Sequence, residues 1–400
     1  MVKFVHTADW QLGMGFAGRS RPEELRKERL VAVGRVLDLA RQENAAFIIV
    51  AGDCFETNRV SRTLLYEARE ALRNAPCPVL MLPGNHDPLS QDSIYAARDE
   101  WQNLPPAVRV LSEPRAVTVG GVTLYPCPCA GRTSAQDPTA WIPPRRPEDG
   151  IRVGVAHGSW QVLPELRADD HPVPPDAARK RDLDYLALGH WHSTFPDAGA
   201  VRAGRQEEGR TFYSGTHEQA GFGERDSGNV LVVEIGAPGQ APVVRKRRTG
   251  RFVWRQEAFE ISDATSVATL EASVQKMDDP GHSLVRIVLK GVVPPAVNEE
   301  TVRVLDELRP RFFSFEVDDR ELFTALTEMD AGELPSSLLR RVAARLLAYA
   351  GGDEGRPPAG WSPGLALGKD AADHVPEEAA RRALQLLFGR FNLLKRGGQQ

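Results

Sequence analysis

Short apolar runs alternate with stretches of helical spacing over the first 235 residues of the chain. Five of these runs have the length and composition of buried strands, and they lie at residues 2–6, 47–50, 79–82, 151–155 and 185–188. Apolar residues recur at helical spacing in residues 22–42 and 61–74. Because strands and helices in alternation are typical of layered architectures, we predict an α/β fold for this part of the chain.

The pattern changes in the remainder of the chain. Residues 236–242 are rich in glycine and proline, which is typical of a linker. Beyond them, strand and helix patterns alternate between residues 254 and 317 and predict a small α/β unit. Amphipathic helices are predicted at residues 335–350 and 376–391. We therefore predict three regions, which are residues 1–240, a capping domain at 241–325 and C-terminal helices at 326–400.

Composition narrows the class of protein. The 400 residues are 42% apolar and 26% charged, which is typical of a globular protein with two or three domains. No apolar run reaches the roughly 18 residues of a membrane span, and residues 1–4 lack the pattern of a signal peptide. The four cysteines form no disulfide framework, so we expect a cytoplasmic protein with no membrane partner.

Charge is unevenly distributed. The net charge of −4 argues against a generic polyanion binder. The basic run Arg245, Lys246, Arg247 and Arg248 is nevertheless a candidate nucleic-acid contact at the start of the predicted cap. A charged edge strand that resists aggregation is the alternative interpretation of the same run.

Polar residues with metal-binding or acid–base chemistry directly follow each of the five buried runs. The clusters are Asp9-Trp10-Gln11, Gly52-Asp53, Gly84-Asn85-His86-Asp87, His157-Gly158 and Gly189-His190-Trp191-His192. In an open α/β sheet, the loops at the carboxyl ends of the strands converge on one crevice, so these side chains are expected to meet. Carboxylate, amide and imidazole ligands in this mixture suit manganese, iron or zinc better than calcium or magnesium alone.

The clusters contain the parts of a site for two metal ions. The carboxylate of Asp53 is suited to bridge two cations, because its two oxygens carry several lone pairs. His190 and His192 stand on alternate residues, so a bent loop can offer each imidazole to a different ion. Two ions roughly 3.5–4 Å apart can together clamp a phosphate and stabilise a leaving oxygen. The pattern therefore predicts a dinuclear metal hydrolase.

The order of these clusters resembles the motif series of the calcineurin-like metallophosphoesterases. Within that family, residues 6–13 (HTADWQLG) and 51–56 (AGDCFE) resemble the nuclease subunit of the bacterial SbcCD complex and its relatives in double-strand-break repair. The resemblance covers residues 1 to about 235, and the cap agrees in position and size. It implies a β-sandwich flanked by helices, with a small α/β cap domain and C-terminal helices.

The resemblance also implies roles for individual residues. It assigns the first metal to Asp9, Asp53 and His192, and the second to Asp53, Asn85, His157 and His190. His86 would be a non-ligand that contacts the scissile phosphate and protonates or stabilises the leaving oxygen, with Asp87 orienting its imidazole. The expected cofactors are two divalent ions, most often Mn²⁺, and the expected nucleophile is a metal-bound hydroxide.

Gln11 departs from the family pattern, which has a ligating histidine at this position. A glutamine offers a neutral carbonyl oxygen, which is a harder and weaker donor than imidazole. Three alternatives follow: Gln11 ligates directly, it holds a ligating water, or the first site is weak.

Three functions remain open on the sequence. The first is a Mn²⁺-dependent DNA repair nuclease, exonuclease or endonuclease, that works on DNA with an SbcC-like coiled-coil ATPase. The second is a phosphodiesterase that acts on a small molecule or nucleotide. The third is a catalytically weakened DNA-end-binding subunit, with Gln11 as its signature. The sequence also leaves open whether the chain forms a homodimer.

Overall fold

A computed structural model of the protein describes residues 1–97, 101, 104–163, 165, 167, 170–196, 209–324, 336–350, 383 and 387. The chain divides into two compact units, Met1–Trp254 and Arg255–Gln400. The first unit contains every polar cluster identified in the sequence, since the last of these clusters ends at His192.

Two β-sheets form the described part of the first unit. One is built from β1 (Val2–Thr7), β2 (Ile48–Val50), β3 (Val79–Met81), β4 (Val108–Val110), β10 (Asn229–Ile235) and β11 (Val243–Arg248), in the order β11-β10-β1-β2-β3-β4. The other is built from β5 (Val117–Val119), β6 (Val122–Cys127), β7 (Ile151–His157), β8 (Tyr185–Gly189) and β9 (Thr211–Tyr213), in that order across the sheet. Neighbouring strands from β1 to β4 and from β6 to β9 are parallel.

The two sheets pack face to face around a buried core. Phe4 of the first sheet lies against Tyr185 of the second, with ring centroids 5.6 Å apart in an edge-on arrangement. Ile49 faces this core, whereas its neighbours Ile48 and Val50 belong to the cluster on the opposite face of the same sheet. Successive side chains of a strand point to opposite faces, so the first sheet is buried on both sides.

Helices cover the outer faces of the sandwich. In the described part of the first unit, the helices are α1 (Pro22–Gln42), α2 (Arg62–Leu72), α3 (Ile94–Ala97) and α4 (Ala177–Lys180), and Trp101 is also helical. Val36 of α1 and Leu65 of α2 are buried in the same cluster as the outer residues of β2 and β3. Ala177 and Ala178 of α4 pack with the outer face of the second sheet. The predicted fold class, a β-sandwich flanked by helices, is confirmed.

Strand register brings the ends of the parallel strands to common edges. The pairing of β1 with β2 aligns Thr7 with Val50, and the pairing of β2 with β3 aligns Val50 with Met81. In the second sheet, His157 is aligned with Gly189. The polar clusters that follow these strands therefore start at the same end of each sheet.

The second unit has the order of elements predicted for a small α/β domain. It contains β12 (Val253–Glu260) from Arg255 onward, α5 (Ala264–Gln275), β13 (Ser283–Val293), α6 (Pro295–Leu308) and β14 (Ser314–Thr324), and the strands lie in the order β12-β13-β14. Asp263 and Ser266 form a capping box that begins α5. Leu270, Ile287 and Leu305 are buried together between these helices and the sheet.

The division of the chain lies later than the predicted boundary at residue 240. The first unit extends to Trp254, because β11 pairs with β10 from Val243 to Arg248 and so belongs to the sheet of the first unit. The predicted helix at 335–350 corresponds to α7 (Ser337–Ala350). The predicted helix at 376–391 lies outside the described residues, apart from positions 383 and 387. Among the helices that the structure describes, none has both the length and the apolar character needed to cross a membrane.

Candidate metal centre

Three side chains from separate strand ends form a buried cluster with the composition of a metal site. One ligand atom each of Asp9, Asp53 and His157 lies within 4.8 Å of the others. The exposed fraction of each residue is at most 2%. Asp9 and Asp53 follow β1 and β2, and His157 ends β7, so both sheets of the sandwich contribute to the cluster.

Asp53 lies at the centre of this cluster. Its Oδ1 accepts a hydrogen bond of 2.9 Å from the backbone N–H of His86, and its Oδ2 lies 3.3 Å from Nε2 of His157. A Cβ atom added to Gly84 would lie only 2.1 Å from Oδ1 of Asp53. Glycine at position 84 is therefore required for the loop after β3 to approach the carboxylate this closely.

The backbone at the centre is held in an uncommon conformation. Asp9, Gln11 and Asp53 have φ angles of 52°, 39° and 49°, and φ at His190 is 108°. Positive φ is unfavourable for residues with a side chain and persists where the surrounding structure enforces it, often at functional sites. At Asp9, the carboxylate accepts hydrogen bonds of 3.0 and 3.1 Å from the backbone N–H of His190, which ties the β1 loop to the β8 loop.

The orientation of His157 directs one ring nitrogen to the cluster. Its Nδ1 lies 2.9 Å from the carbonyl oxygen of Ala51, which accepts only, so Nδ1 carries the proton in the neutral ring. Nε2 then faces Asp53 and lies 2.9 Å from Oδ1 of Asn85. A histidine whose outer nitrogen donates to a carbonyl has the arrangement that metal-ligating imidazoles usually adopt.

Electrostatics couples the imidazole to the carboxylates. Burial by itself would lower the pKa of His157, but the charges of Asp53 and Asp9 outweigh it and raise that pKa to about 10. Burial would raise the pKa of Asp53, and His157 holds it below its ordinary value instead. The pKa of Asp9 is raised, mainly by burial. A protonated His157 thus stabilises the carboxylates in the place where a metal cation would.

His192 is oriented by a carboxylate that the sequence did not identify. Its Nδ1 lies 2.9 Å from Oε1 of Glu224, and Oε2 of Glu224 accepts from the backbone N–H of Ala220 at 2.8 Å. Burial would lower the pKa of His192, but the hydrogen bond to Glu224 and the charge of Asp9 raise it. Glu224 therefore holds the ring so that Nε2 is available as a ligand atom. No strand end or motif marks Glu224 in the sequence.

His190 lies at the edge of the cluster. Its ring packs edge-on against that of His157, with centroids 5.4 Å apart, and its Nε2 lies 3.3 Å from Oδ2 of Asp170. Burial, and after it the charge of His157, lower the pKa of His190 to about 3, so this ring is neutral at physiological pH. Asp170 lies in the segment between β7 and β8, and no motif in the sequence marks it as a neighbour of His190. The assignment of His190 and Asn85 to a second metal stays a prediction.

Gln11 provides a test of whether the residues suit a metal. Its side chain is 3% exposed, and its backbone N–H donates to the carbonyl of Asp53 at 2.8 Å. Its Oε1 is buried and has no hydrogen-bond partner among the residues that the structure describes. A buried carbonyl oxygen without a partner costs about 1–3 kcal/mol. A cation or its bound water would satisfy this oxygen, so the donor set fits a metal, and the contact of Gln11 with it stays a prediction.

The structure corrects the role predicted for Asp87. Its carboxylate is buried and accepts from the backbone N–H groups of Gly84 at 2.7 Å and Phe55 at 2.9 Å, and from the hydroxyl of Tyr95. Asp87 therefore holds the loop after β3 in shape and does not orient His86. A carboxylate in a tight loop satisfies nearby backbone donors first, because these would otherwise be buried without partners.

Glu56 is the acidic neighbour of His86. Nδ1 of His86 lies 3.1 Å from the carbonyl oxygen of Glu56 and 3.8 Å from its Oε1. The side chain of His86 is 39% exposed, in contrast to the buried ligand cluster beside it. His86 is therefore the most exposed of the four histidines His86, His157, His190 and His192.

The basic run at 245–248 also has a different role from the predicted one. Arg245 pairs with Glu43 and Glu234, Lys246 pairs with Asp226, Arg247 pairs with Glu43, and Arg248 donates to the carbonyl of Phe252. These residues form β11, an edge strand of the first sheet. Their charges are mostly neutralised within the fold, so the edge-strand alternative describes them better than a nucleic-acid contact.

Arg29 of α1 holds the loop that carries Asp9. The side chain is 1% exposed, and its guanidinium donates to the carbonyl oxygens of Asp9, Trp10 and Glu218 at 2.7–3.0 Å. It also donates to the hydroxyl of Thr216, which in turn donates to the carbonyl of Asp9. The buried guanidinium of Arg29 thus holds the backbone of the loop after β1 in place.

Comparisons with known proteins bear on this centre. Residues 2–194 match the family model described as calcineurin-like phosphoesterase. The chain is also 25% identical over 362 residues to the uncharacterised metallophosphoesterase YhaO of Bacillus subtilis strain 168, and the alignment covers 84% of this chain and 83% of that protein. Both matches support the family predicted from the motif series. The finer resemblance to the SbcCD nuclease subunit stays a prediction.

Substitution of Gln11 tests its contact with metal. Gln11→Ala should weaken Mn²⁺ binding about tenfold, and Gln11→His should strengthen it, because imidazole is the better donor. Isothermal titration with MnCl₂ measures both affinities, and Gln42→Ala, an exposed glutamine at the end of α1, is the matched control. Unchanged affinity in both Gln11 variants would show that Oε1 does not act on the metal.

Metal affinity should rise with pH. The pKa of His157 is about 10 in the metal-free centre, so at neutral pH this ring must lose a proton before Nε2 can ligate. The apparent dissociation constant for Mn²⁺ should therefore fall about tenfold for each pH unit between about pH 6 and 8. Titrations in buffers with different ionisation enthalpies count the released proton. An affinity that does not change across this range would contradict the protonated state of His157.

Replacement of Arg29 should destabilise the first unit. Arg29→Met removes the guanidinium donors of the carbonyls of Asp9, Trp10 and Glu218, and the single hydroxyl of Thr216 cannot replace them all, which we expect to cost on the order of 3 kcal/mol. Urea unfolding followed by tryptophan fluorescence measures this loss, and Lys27→Met, an exposed position on the same helix, is the control. Equal stability of the two variants would mean that the guanidinium contributes little.

Proposed function

We propose that this protein, whose residues 2–194 match the family model of the calcineurin-like phosphoesterases, is a Mn²⁺-dependent nuclease that hydrolyses phosphodiester bonds in DNA. The observation that carries the proposal is the buried cluster of Asp9, Asp53 and His157 with the exposed His86 directly beside it. The buried ligands can bind a divalent cation that acts on the phosphate. The accessible imidazole next to them can act on a leaving group.

The residues that would hold divalent ions divide into a buried set and a surrounding set. Asp9, Asp53 and His157 form the buried set, and Gln11, Asn85, His190 and His192 are the surrounding candidates. When bound, divalent ions supply Lewis acidity toward the phosphoryl oxygens and lower the pKa of a coordinated water. The protein's own contribution is to keep the ligands in place, through Ala51 at His157, Glu224 at His192 and Arg29 beneath Asp9.

His86 has the position of a proton donor. Nδ1 faces the carbonyl oxygen of Glu56 and therefore carries a proton, which leaves Nε2 as the atom that can reach substrate. The backbone N–H of His86 is held by Asp53, so the imidazole and the metal ligand move as one group. We propose that the ring, in its imidazolium form with a proton on each nitrogen, donates the Nε2 proton to the leaving oxygen of the phosphodiester and is left neutral with its proton on Nδ1.

A phosphodiesterase for a small molecule is the second candidate. A cleft of about 540 Å³ adjoins His86, which is within the range of small-ligand sites. Hydrolysis of a model phosphodiester together with inert DNA would favour this function. A wild type that hydrolyses neither would favour a weakened, DNA-end-binding subunit.

An SbcC-like ATPase is the partner that we propose. Helix α7 exposes 61% of Leu338 and 40% of Val342, which stand four residues apart and so share one face. Apolar side chains exposed in this way suit a helix that docks against another chain. Co-purification with such an ATPase should be lost when both residues are changed to serine.

The central test is the effect of His86→Ala on linear duplex DNA with Mn²⁺. The rate constant of cleavage should fall about 10²–10⁴-fold, because the leaving oxygen loses its proton donor. Mn²⁺ content, measured by plasma emission, should not change, since His86 is not a ligand. His282→Ala, a histidine in the second unit, is the control. Loss of metal from the His86 variant would make His86 a ligand and overturn its assigned role.

A further inference from the structure

A cleft next to His86 contains two arginines that the mechanism above does not use. Its lining includes His86, Arg59, Arg132 and Asp92, and its volume is about 540 Å³. Arg59 follows the β2 loop that carries Asp53, and Arg132 follows β6. Both side chains are exposed, so a ligand in the cleft can reach them.

The backbones that carry these arginines are tied to the metal loops. Asn58 is 7% exposed, and its side chain donates to the carbonyl of Pro88 at 2.9 Å. On the other wall, the backbone N–H of Leu89 donates to the carbonyl of Cys129 at 2.9 Å, and the N–H of Cys129 donates to the carbonyl of Pro83 at 3.1 Å. The walls of the cleft are therefore held at a set position relative to His86.

The two arginines differ from the basic residues of β11 in their ionic contacts. Neither Arg59 nor Arg132 forms an ion pair with any residue in the described part of the chain. The basic run on β11 differs, because Glu43, Glu234 and Asp226 pair with it. The carboxylate that faces both arginines is Asp92, which accepts from the hydroxyl of Ser90 at 2.6 Å.

We propose that Arg59 and Arg132 bind a backbone phosphate that flanks the scissile phosphodiester, and so favour polynucleotide strands over substrates with a single phosphate. The inference rests on the proposed function, because it takes His86 as the group at the scissile phosphate. A nucleic-acid strand carries one charge per about 3.4 Å of rise, so its next phosphate must lie near the first. Guanidinium groups match the geometry of phosphate oxygens and form charge-assisted hydrogen bonds with them.

The test compares two substrates that differ in the number of phosphates. One is bis(p-nitrophenyl) phosphate, which has a single phosphodiester, and the other is a short single-stranded thymidine oligonucleotide, both with Mn²⁺. Arg59→Gln and Arg132→Gln should each raise KM for the oligonucleotide about tenfold. Each should also reduce the slope of log(kcat/KM) against log salt concentration by about one. Hydrolysis of the single-phosphate substrate should change less than about twofold.

Two further variants sharpen the comparison. Asp92→Asn should lower KM for the oligonucleotide, because it removes the carboxylate that opposes a phosphate in the cleft. Arg179→Gln on α4 is the control, since this exposed arginine pairs with Asp176 and does not line the cleft. It should leave both substrates unaffected.

The outcomes separate this inference from the proposed function. A wild type that hydrolyses neither substrate contradicts the proposed function. The flanking-phosphate site is overturned if the wild type hydrolyses both substrates and the Arg59 and Arg132 variants lose activity equally on the two. Unchanged KM for the oligonucleotide in both Arg59→Gln and Arg132→Gln overturns it as well.

Discussion

A negative charge buried at Asp53 is the constraint on which the rest of the centre depends. A carboxylate removed from water is costly unless cations and hydrogen-bond donors surround it. The backbone N–H of His86 and Nε2 of His157 supply these contacts, and both come from strands other than the one before Asp53. The loops after β2, β3 and β7 must therefore close on one point. Gly84 is required because a side chain there would occupy the space of the Asp53 carboxylate.

The arrangement of strands in the β-sandwich allows these loops to meet. Parallel strands end at common edges, so each polar cluster starts beside the others without a long loop. Hydrogen bonds from neighbouring residues then orient the candidate ligands. Ala51 contacts the ring of His157, Glu224 contacts the ring of His192, and Arg29 contacts the backbone of Asp9. Asp9, Gln11, Asp53 and His190 in these loops have positive φ, which is consistent with backbone strain held by the surrounding core.

The basic side chains on β11 differ from those in the cleft in whether a carboxylate pairs with them. Most charges of the basic run on β11 are neutralised by carboxylates of the same sheet and of the turn after α1. Arg59 and Arg132 carry no such partner among the described residues, and they lie beside the accessible imidazole. A run of like charges in a sequence is thus a weak guide to a ligand surface, because its counter-charges can come from distant segments.

Strand positions, helix positions and the polar residues after each strand could be predicted from the sequence, because each depends on local periodicity and on residue chemistry. The order of those residues carries the resemblance to the calcineurin-like phosphoesterases, which residues 2–194 also match. Asp87 next to His86 appeared to be its partner, but the loop turns this carboxylate to the donors of Gly84 and Phe55. Glu56, Asp170 and Glu224 are near the histidines only in space, so no local pattern marks them. Local chemistry alone determined which residue types the centre contains. Tertiary packing decided which partner each of them has, because that choice depends on which buried groups need a donor or an opposite charge.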